Sequence, residues 1–166
     1  MIIYFAIYSF LGYLLESLYV SFFQKKWISS GLLKGPFIPL YGFGACLLIA
    51  VYPYLHPYPF LSFFIGGSLM TLLELVSSYI IEKCFHTKCW DYSHHRFHFK
   101  GRICLSYFFL WCVLSFLFIY YVHPFTLQFP LINDTVCIFA LIYLSFVSKA
   151  LINRLQIKTP QGLNIH

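Results

Sequence analysis

The chain has 166 residues, 60% of them hydrophobic and 10% charged, with 20 Phe, 14 Tyr and a formal net charge of +6. Soluble globular proteins carry roughly 45–50% apolar and about 25% charged residues, and so few charges cannot cover the surface of a soluble globule of this size. The composition therefore excludes a water-soluble fold and, by its hydrophobicity, disorder.

A membrane span needs about 20 largely apolar residues to cross about 30 Å of hydrocarbon. Five segments meet this requirement. The first runs from Ile2 to Phe23. No Lys or Arg occurs between Met1 and Ala6, so the run lacks the basic lead of a signal peptide and is expected to be retained as a span. A connection containing Gly31, Gly35 and Pro36 leads to the second, Phe37 to Leu55. Pro53, Pro57 and Pro59 mark the passage to the third, Phe60 to Ile81. The fourth runs from Ile103 to Val122 and, beyond Pro124 and Pro130, the fifth from Thr135 to Ile152. Lone strands cannot satisfy their backbone groups in lipid and the runs lack barrel alternation, so all five are expected to be helices. The expected fold is an all-α polytopic membrane helix bundle, a single integral-membrane domain over 1–166.

Lys25, Lys26 and Lys34 lie in the first connection, Lys83, Lys88, Arg96, Lys100 and Arg102 about the third, and Lys149, Arg154 and Lys158 at the C-terminal end. Those are all eleven Lys and Arg of the chain, and five spans bring the three groups to one face. The positive-inside rule then puts the N-terminus outside and the C-terminus in the cytosol. The basic balance is thus topological, and a nucleic-acid partner is not expected. Cys46, Cys104, Cys112 and Cys137 lie in apolar runs, while Cys84 and Cys89 fall in the third connection, on the reducing side; all six are expected to be free thiols.

The chain also echoes itself. Leu14-Leu15-Glu16, then Lys26-Trp27 and Lys34-Gly35, recurs as Leu72-Leu73-Glu74, then Lys88-Cys89-Trp90 and Lys100-Gly101. The expectation is a parallel two-helix repeat over 1–57 and 60–124, with a fifth helix at 135–152 outside it. Glu16 stands seven residues before Phe23 and Glu74 seven before Ile81, so both lie about 10 Å below the same end of their helices. Each closes a stripe of small or polar residues at helical spacing: Ser9, Gly12, Tyr13 and Glu16, and Gly67, Thr71, Glu74 and Ser78. A carboxylate facing lipid costs several kcal/mol, so each glutamate should face the interior, carry a proton or meet a cation such as Lys34, Lys100 or Arg102. Two roles stay open for them: a cation, proton or substrate site on a transport path, or a structural bond holding the helices in register.

Pro36, Pro39 and Tyr41 belong to the most irregular stretch at membrane depth. Either the second helix begins with a broken, cavity-lining turn, or the prolines simply start it and Gly42 and Gly44 pack it. The Glu82 to Arg102 connection holds Cys84, His86, Cys89, His94, His95 and His98, but Cys84-x-His86-x-x-Cys89 is no usual zinc spacing and no metal or cofactor is expected. Trp90, Tyr92, Phe97 and Phe99 interleaved with bases suit a headgroup-level loop, and Trp90, Asp91 and Tyr92 are the candidates for docking a cytosolic partner. His56 and His123, beside prolines, are expected at the opposite interface.

Together, Tyr8-Ser9-Phe10-Leu11-Gly12-Tyr13-Leu14-Leu15-Glu16-Ser17, Gly35-Pro36-Phe37-Ile38-Pro39-Leu40-Tyr41-Gly42-Phe43-Gly44, Leu73-Glu74, Trp90-Asp91-Tyr92-Ser93 and Gly101-Arg102-Ile103-Cys104-Leu105 resemble the bacterial CmpB-like, type IV family of ABC-transporter permeases. The resemblance spans Tyr4 to Pro124 and implies a multi-pass protein of the bacterial cytoplasmic membrane, acting as a permease-like transport component. It brings no assigned site residues. Family members tend to have Asn-type polar residues after the Trp-Asp-Tyr-Ser element, where this chain has His94, His95 and His98. The chain has no GxxxxGK[ST] loop, so ATP hydrolysis would fall to a separate cytosolic ATPase, and five helices are few to enclose a path, which points to a homodimer or partner permease. The alternatives are a noncatalytic membrane scaffold or regulator, and an integral-membrane enzyme using Asp91, His94, His95 and His98 on a lipid-like substrate. The transport candidates are Glu16, Glu74, Arg102, Pro36, Pro39 and Tyr41.

Overall fold

The computed structural model describes residues 1–33, 35–129 and 134–156. Lys34, Pro130 and Lys158 lie outside them. The chain is an all-α bundle in which α1 (Ile2–Gln24), α3 (Pro59–Phe85), the continuous Leu105–Leu127 segment and α6 (Asp134–Gln156) are long and apolar enough to cross a membrane, with a shorter apolar helix, α2 (Pro39–Leu55). Helices dominate because the apolar runs are long and no solvent reaches their backbones in lipid. Between α3 and α4 (Leu105–Leu117), a loop carries a two-stranded antiparallel ribbon, β1 (His98–Phe99) on β2 (Ile103–Cys104), with Phe99 opposite Ile103.

Proline places the helix starts. Pro39 and Pro59 each sit in the first turn of their helix, where a missing N–H costs nothing because that donor has no intrahelical partner. The irregular stretch before α2 is therefore a short lead into an ordinary helix. Pro36 lends its carbonyl to the Tyr143 hydroxyl at 3.2 Å, from α6. α1 and α3 end on left-handed residues, Lys25 (φ 50°) and His86 (φ 52°).

The fourth span differs from its expected bounds at both ends. Ile103 and Cys104 belong to the ribbon, and the helix continues past Val122, so Pro124 lies inside a helical segment instead of separating two. A proline in mid-helix removes one hydrogen bond and crowds the carbonyl four residues back. Here the turn just before it widens into a π-helix, Phe118–Val122, and the chain continues as α5 (His123–Leu127). His123, expected at the interface, is instead buried among the rings of Tyr4, Tyr52 and Phe118, whereas His56 is exposed.

α1 packs on α2 and α3 on α4, with α2 against α3 joining the pairs and α6 lying along α1. Small residues set both close crossings. A Cβ on Gly12 would fall within the ring of Tyr41, and one on Gly67 would lie 2.9 Å from backbone atoms of Cys112, so neither position admits a side chain without displacing a helix. A core of Leu48, Leu55, Met70 and Ile119 fills the centre, and Leu33, Phe37 and Val147 seal α6 to the first connection. The outside is apolar: Phe22, Phe60, Phe64, Leu72, Phe139 and Leu141 are each at least half exposed. That surface has nothing to gain in water and suits contact with acyl chains.

Candidate functional site

Glu16 of the α1–α2 pair and Glu74 of the α3–α4 pair are linked through aromatic side chains inside the bundle. Each is held by an aromatic donor from the neighbouring helix of its own pair. The Tyr41 hydroxyl donates to Glu16 Oε2 at 2.5 Å, and the Trp111 indole N–H donates to Glu74 Oε2 at 3.0 Å. The two donors are themselves neighbours, with ring centroids 6.1 Å apart, so a short chain of Glu16, Tyr41, Trp111 and Glu74 crosses from one helix pair to the other. Local sequence explains the placement. Glu16 lies four residues after Gly12, on the same helix face, and Tyr41 rests against Gly12.

A third donor arrives from outside the helices. The Tyr92 hydroxyl donates to Glu74 Oε1 at 2.8 Å, so both oxygens of this buried carboxylate are occupied. Burial, the charge of Glu74 and the bond donated to it push the Tyr92 phenol well above its ordinary range, so it keeps its proton and remains a donor. Tyr107 stacks on Tyr92 with centroids 4.5 Å apart and pairs with Tyr19 of α1, while His95 meets both Tyr92 and Tyr107 edge-on.

The loop that delivers Tyr92 is fastened by its own motif residues. The Trp90 indole donates to the Arg102 carbonyl at 2.9 Å, and the Tyr92 N–H to the Gly101 carbonyl at 2.8 Å. Asp91 accepts from the Ser93 N–H at 2.9 Å and from the Ser93 hydroxyl, which holds its carboxyl below the usual range. The Gly101 N–H donates to His98 Nδ1 at 3.0 Å. Thus Trp90-Asp91-Tyr92-Ser93 and Gly101-Arg102 form one folded unit, with Trp90 and Tyr92 directing their polar atoms inward and Asp91 exposed. Among the described residues no group of three His, Cys, Asp or Glu is gathered to hold a metal ion.

Of the cations expected near the glutamates, Arg102 pairs with Glu82, lies over the ring of Tyr79 at 4.0 Å and donates to the Ser78 hydroxyl at 3.3 Å. Lys100 lies 5.5 Å from the centroid of Phe99. Among the described residues no ion pair reaches Glu16 or Glu74; neutral donors hold both. Arg102 is committed to Glu82, Tyr79 and Ser78 instead. Pro36 and Pro39 stand at the start of α2, where the Pro36 carbonyl accepts from Tyr143 of α6.

Sequence reading singled out Glu16, Glu74 and Tyr41 as transport candidates but took Tyr92 for a docking residue, whereas its hydroxyl turns inward to Glu74, and it did not name Trp111, Tyr107 or Tyr19. A signal was present: Tyr41 stands six residues after Gly35 and Tyr107 six after Gly101, and Trp111 follows Tyr107 by one helical turn on the same face. Residues 3–153 match the family described as "Putative ABC-transporter type IV". No curated protein and no solved structure matches the chain.

Proposed function

The chain belongs to the type IV ABC-transporter family matched over residues 3–153, and from that premise we propose that it is a permease-like subunit whose Glu16 and Glu74 gate or line the path, with ATP hydrolysis supplied by a separate protein. The observation that carries this reading is the linking of two carboxylates, one from each helix pair, through the neighbouring rings of Tyr41 and Trp111, which hold them as neutral donors. Intramembrane carboxylates are costly and in transporters mark ion or substrate pathways. Two such carboxylates repel when both are ionised, and among the described residues no cation pairs with either; a proton or a cation entering between them relieves that repulsion.

The loop supplies a coupling element. The basic residues put it on the cytosolic side by the positive-inside rule, where an ATPase would dock. Asp91 is exposed there while the adjacent Tyr92 holds Glu74, so a displacement of the loop would withdraw one of the two donors from that carboxylate. The two helix pairs would then act as the halves of a parallel repeat, 1–57 and 60–124.

The test is purification of the tagged full-length chain in mild detergent, identification of the proteins that accompany it, and measurement of ATP hydrolysis by the recovered complex. The expected result is a stoichiometric ATPase whose hydrolysis Glu16→Gln and Glu74→Gln each lower severalfold at unchanged membrane abundance. Recovery of the chain alone, or hydrolysis indifferent to both substitutions, would overturn the reading.

A further inference from the structure

A second feature lies on the outer face of the ribbon between α3 and α4, apart from the carboxylates. In an antiparallel ribbon, residues directly opposite one another share a face, and neighbours along a strand alternate between faces. His98 stands opposite Cys104 and Phe99 opposite Ile103. The Leu105 N–H donates to the Phe97 carbonyl at 2.9 Å, which extends that register by one pair. Cys104 is buried, so the face that carries it is turned to the bundle, and Phe97, Phe99, Ile103 and Leu105 lie on the other. Phe97 is 64% exposed and Phe99 51%.

What covers this apolar patch follows from where it leads. Leu105 opens α4 and with it the Leu105–Leu127 segment, which is long and apolar enough to cross a membrane. Leu105, Phe109, Val113 and Leu117 recur at four-residue spacing along one face of α4, and all are exposed, as a lipid-facing stripe must be. The ribbon patch continues that stripe at the level where the chain enters the apolar layer, so the lipid that covers the stripe also reaches the patch. The flanking charges mark the same level. Arg96 lies 5.7 Å from the centroid of Phe97 and Lys100 5.5 Å from that of Phe99. A ring with a cation beside it suits the boundary between headgroups and acyl chains, where the ring is shielded while the charge stays in water. Trp90 and Tyr92 direct their polar atoms into the fold instead.

We propose that Phe97 and Phe99 anchor the ribbon in the interfacial layer of the bilayer, against the upper acyl segments of the phospholipids beside α4, with Arg96 and Lys100 at headgroup level. The loop that carries Tyr92 to Glu74 is then held from two sides, by the bundle within and by lipid without. The inference does not depend on the transport reading, since neither Glu16 nor Glu74 takes part in the anchoring.

The test uses the full-length chain in phosphatidylcholine nanodiscs, whose two faces are both open to added quencher. One indole is added at a time, by Phe97→Trp, Phe99→Trp or, as the lipid-facing reference, Phe109→Trp, and its emission is read as the difference from the unsubstituted chain with its Trp27, Trp90 and Trp111. The indoles added at 97 and 99 should be quenched by phosphatidylcholine brominated near the headgroup at least about half as strongly as the reference, and by aqueous iodide at least about fivefold less than free tryptophan amide. A second measurement needs no substitution. A phospholipid with a diazirine at the top of its acyl chain should label the tryptic peptide Phe97–Lys100 at least about twofold more than Cys89–Arg96, whose Trp90 and Tyr92 turn inward. An added indole at either position that brominated lipid leaves bright, or equal labelling of the two peptides, would place the patch in water, open to a protein partner, and overturn the proposal.

Discussion

Glu16 and Glu74 stand on two helices that each pack against a following helix, yet their surroundings differ. Glu74 is buried, 4% exposed, with both oxygens bonded, one by Trp111 of the partner helix and one by Tyr92 of the loop. Glu16 is only half-buried and takes a single bond, from Tyr41. The difference comes from the connections. The loop between α3 and α4 contains a ribbon and folds back over its helix pair, whereas the described residues of the 25–38 connection send Ser30 N–H to Ser17 and Ile28 N–H to Ser21. One carboxylate has both oxygens bonded and the other, among the described residues, has one, so the second is the freer to exchange partners.

The strongest way to break this contrast is to remove each carboxylate. Glu74→Ala leaves the Trp111 N–H and Tyr92 O–H without an acceptor and opens a void, and should cost about 3 kcal/mol. Glu16→Ala should cost about 1 kcal/mol, since a single hydroxyl, free to rotate, loses its acceptor. Unfolding of the two variants in the same detergent checks the ranking, and equal losses would remove the distinction.

The donors sharpen it. Trp111→Phe should lower stability by about 1–2 kcal/mol and Tyr41→Phe by about 0.5 kcal/mol, near the modest average for hydrogen bonds inside membrane proteins. Tyr92→Phe should release the loop from the bundle; a loss of about 1 kcal/mol corresponds to trypsin cutting at Arg96 or Lys100 roughly fivefold faster. An unchanged cutting rate would mean that the Trp90 and Gly101 bonds hold the loop without Tyr92.

The smallest effect concerns pH. Tyr92 is held protonated in the folded protein beyond the ordinary phenol value of about 10, at which it ionises when unfolded. Its contribution is therefore complete below that value and declines as pH rises above it. Tyr92→Phe should flatten part of the alkaline loss of stability measured between pH 9 and 11, roughly the interval around the free phenol value.

Much of the fold is legible without coordinates. Long apolar runs, prolines at helix starts and the clustering of every Lys and Arg follow from what lipid tolerates, and lipid tolerates little. The limits were local. Pro124 reads as a breaker, yet a π turn absorbs it, because neighbouring Tyr52 and Tyr4 pack on His123 and hold the chain helical beyond it. Arg102 reads as a partner for a buried glutamate, but Glu82, one turn beyond Ser78 on the same helix, reaches it first without asking a guanidinium to leave the polar end.

By itself the sequence determined the class of solvent and the helical composition, since these depend on composition and on the length of apolar run that a helix needs to cross lipid. Only the tertiary structure decided which side chains meet. That Trp111 rather than a cation satisfies Glu74, and that a loop residue 18 positions away supplies its second bond, depends on helix rotation and on where Gly12 and Gly67 let backbones approach. Those are properties of pairs of segments, and hydropathy along one segment carries no information about the angle at which it faces another.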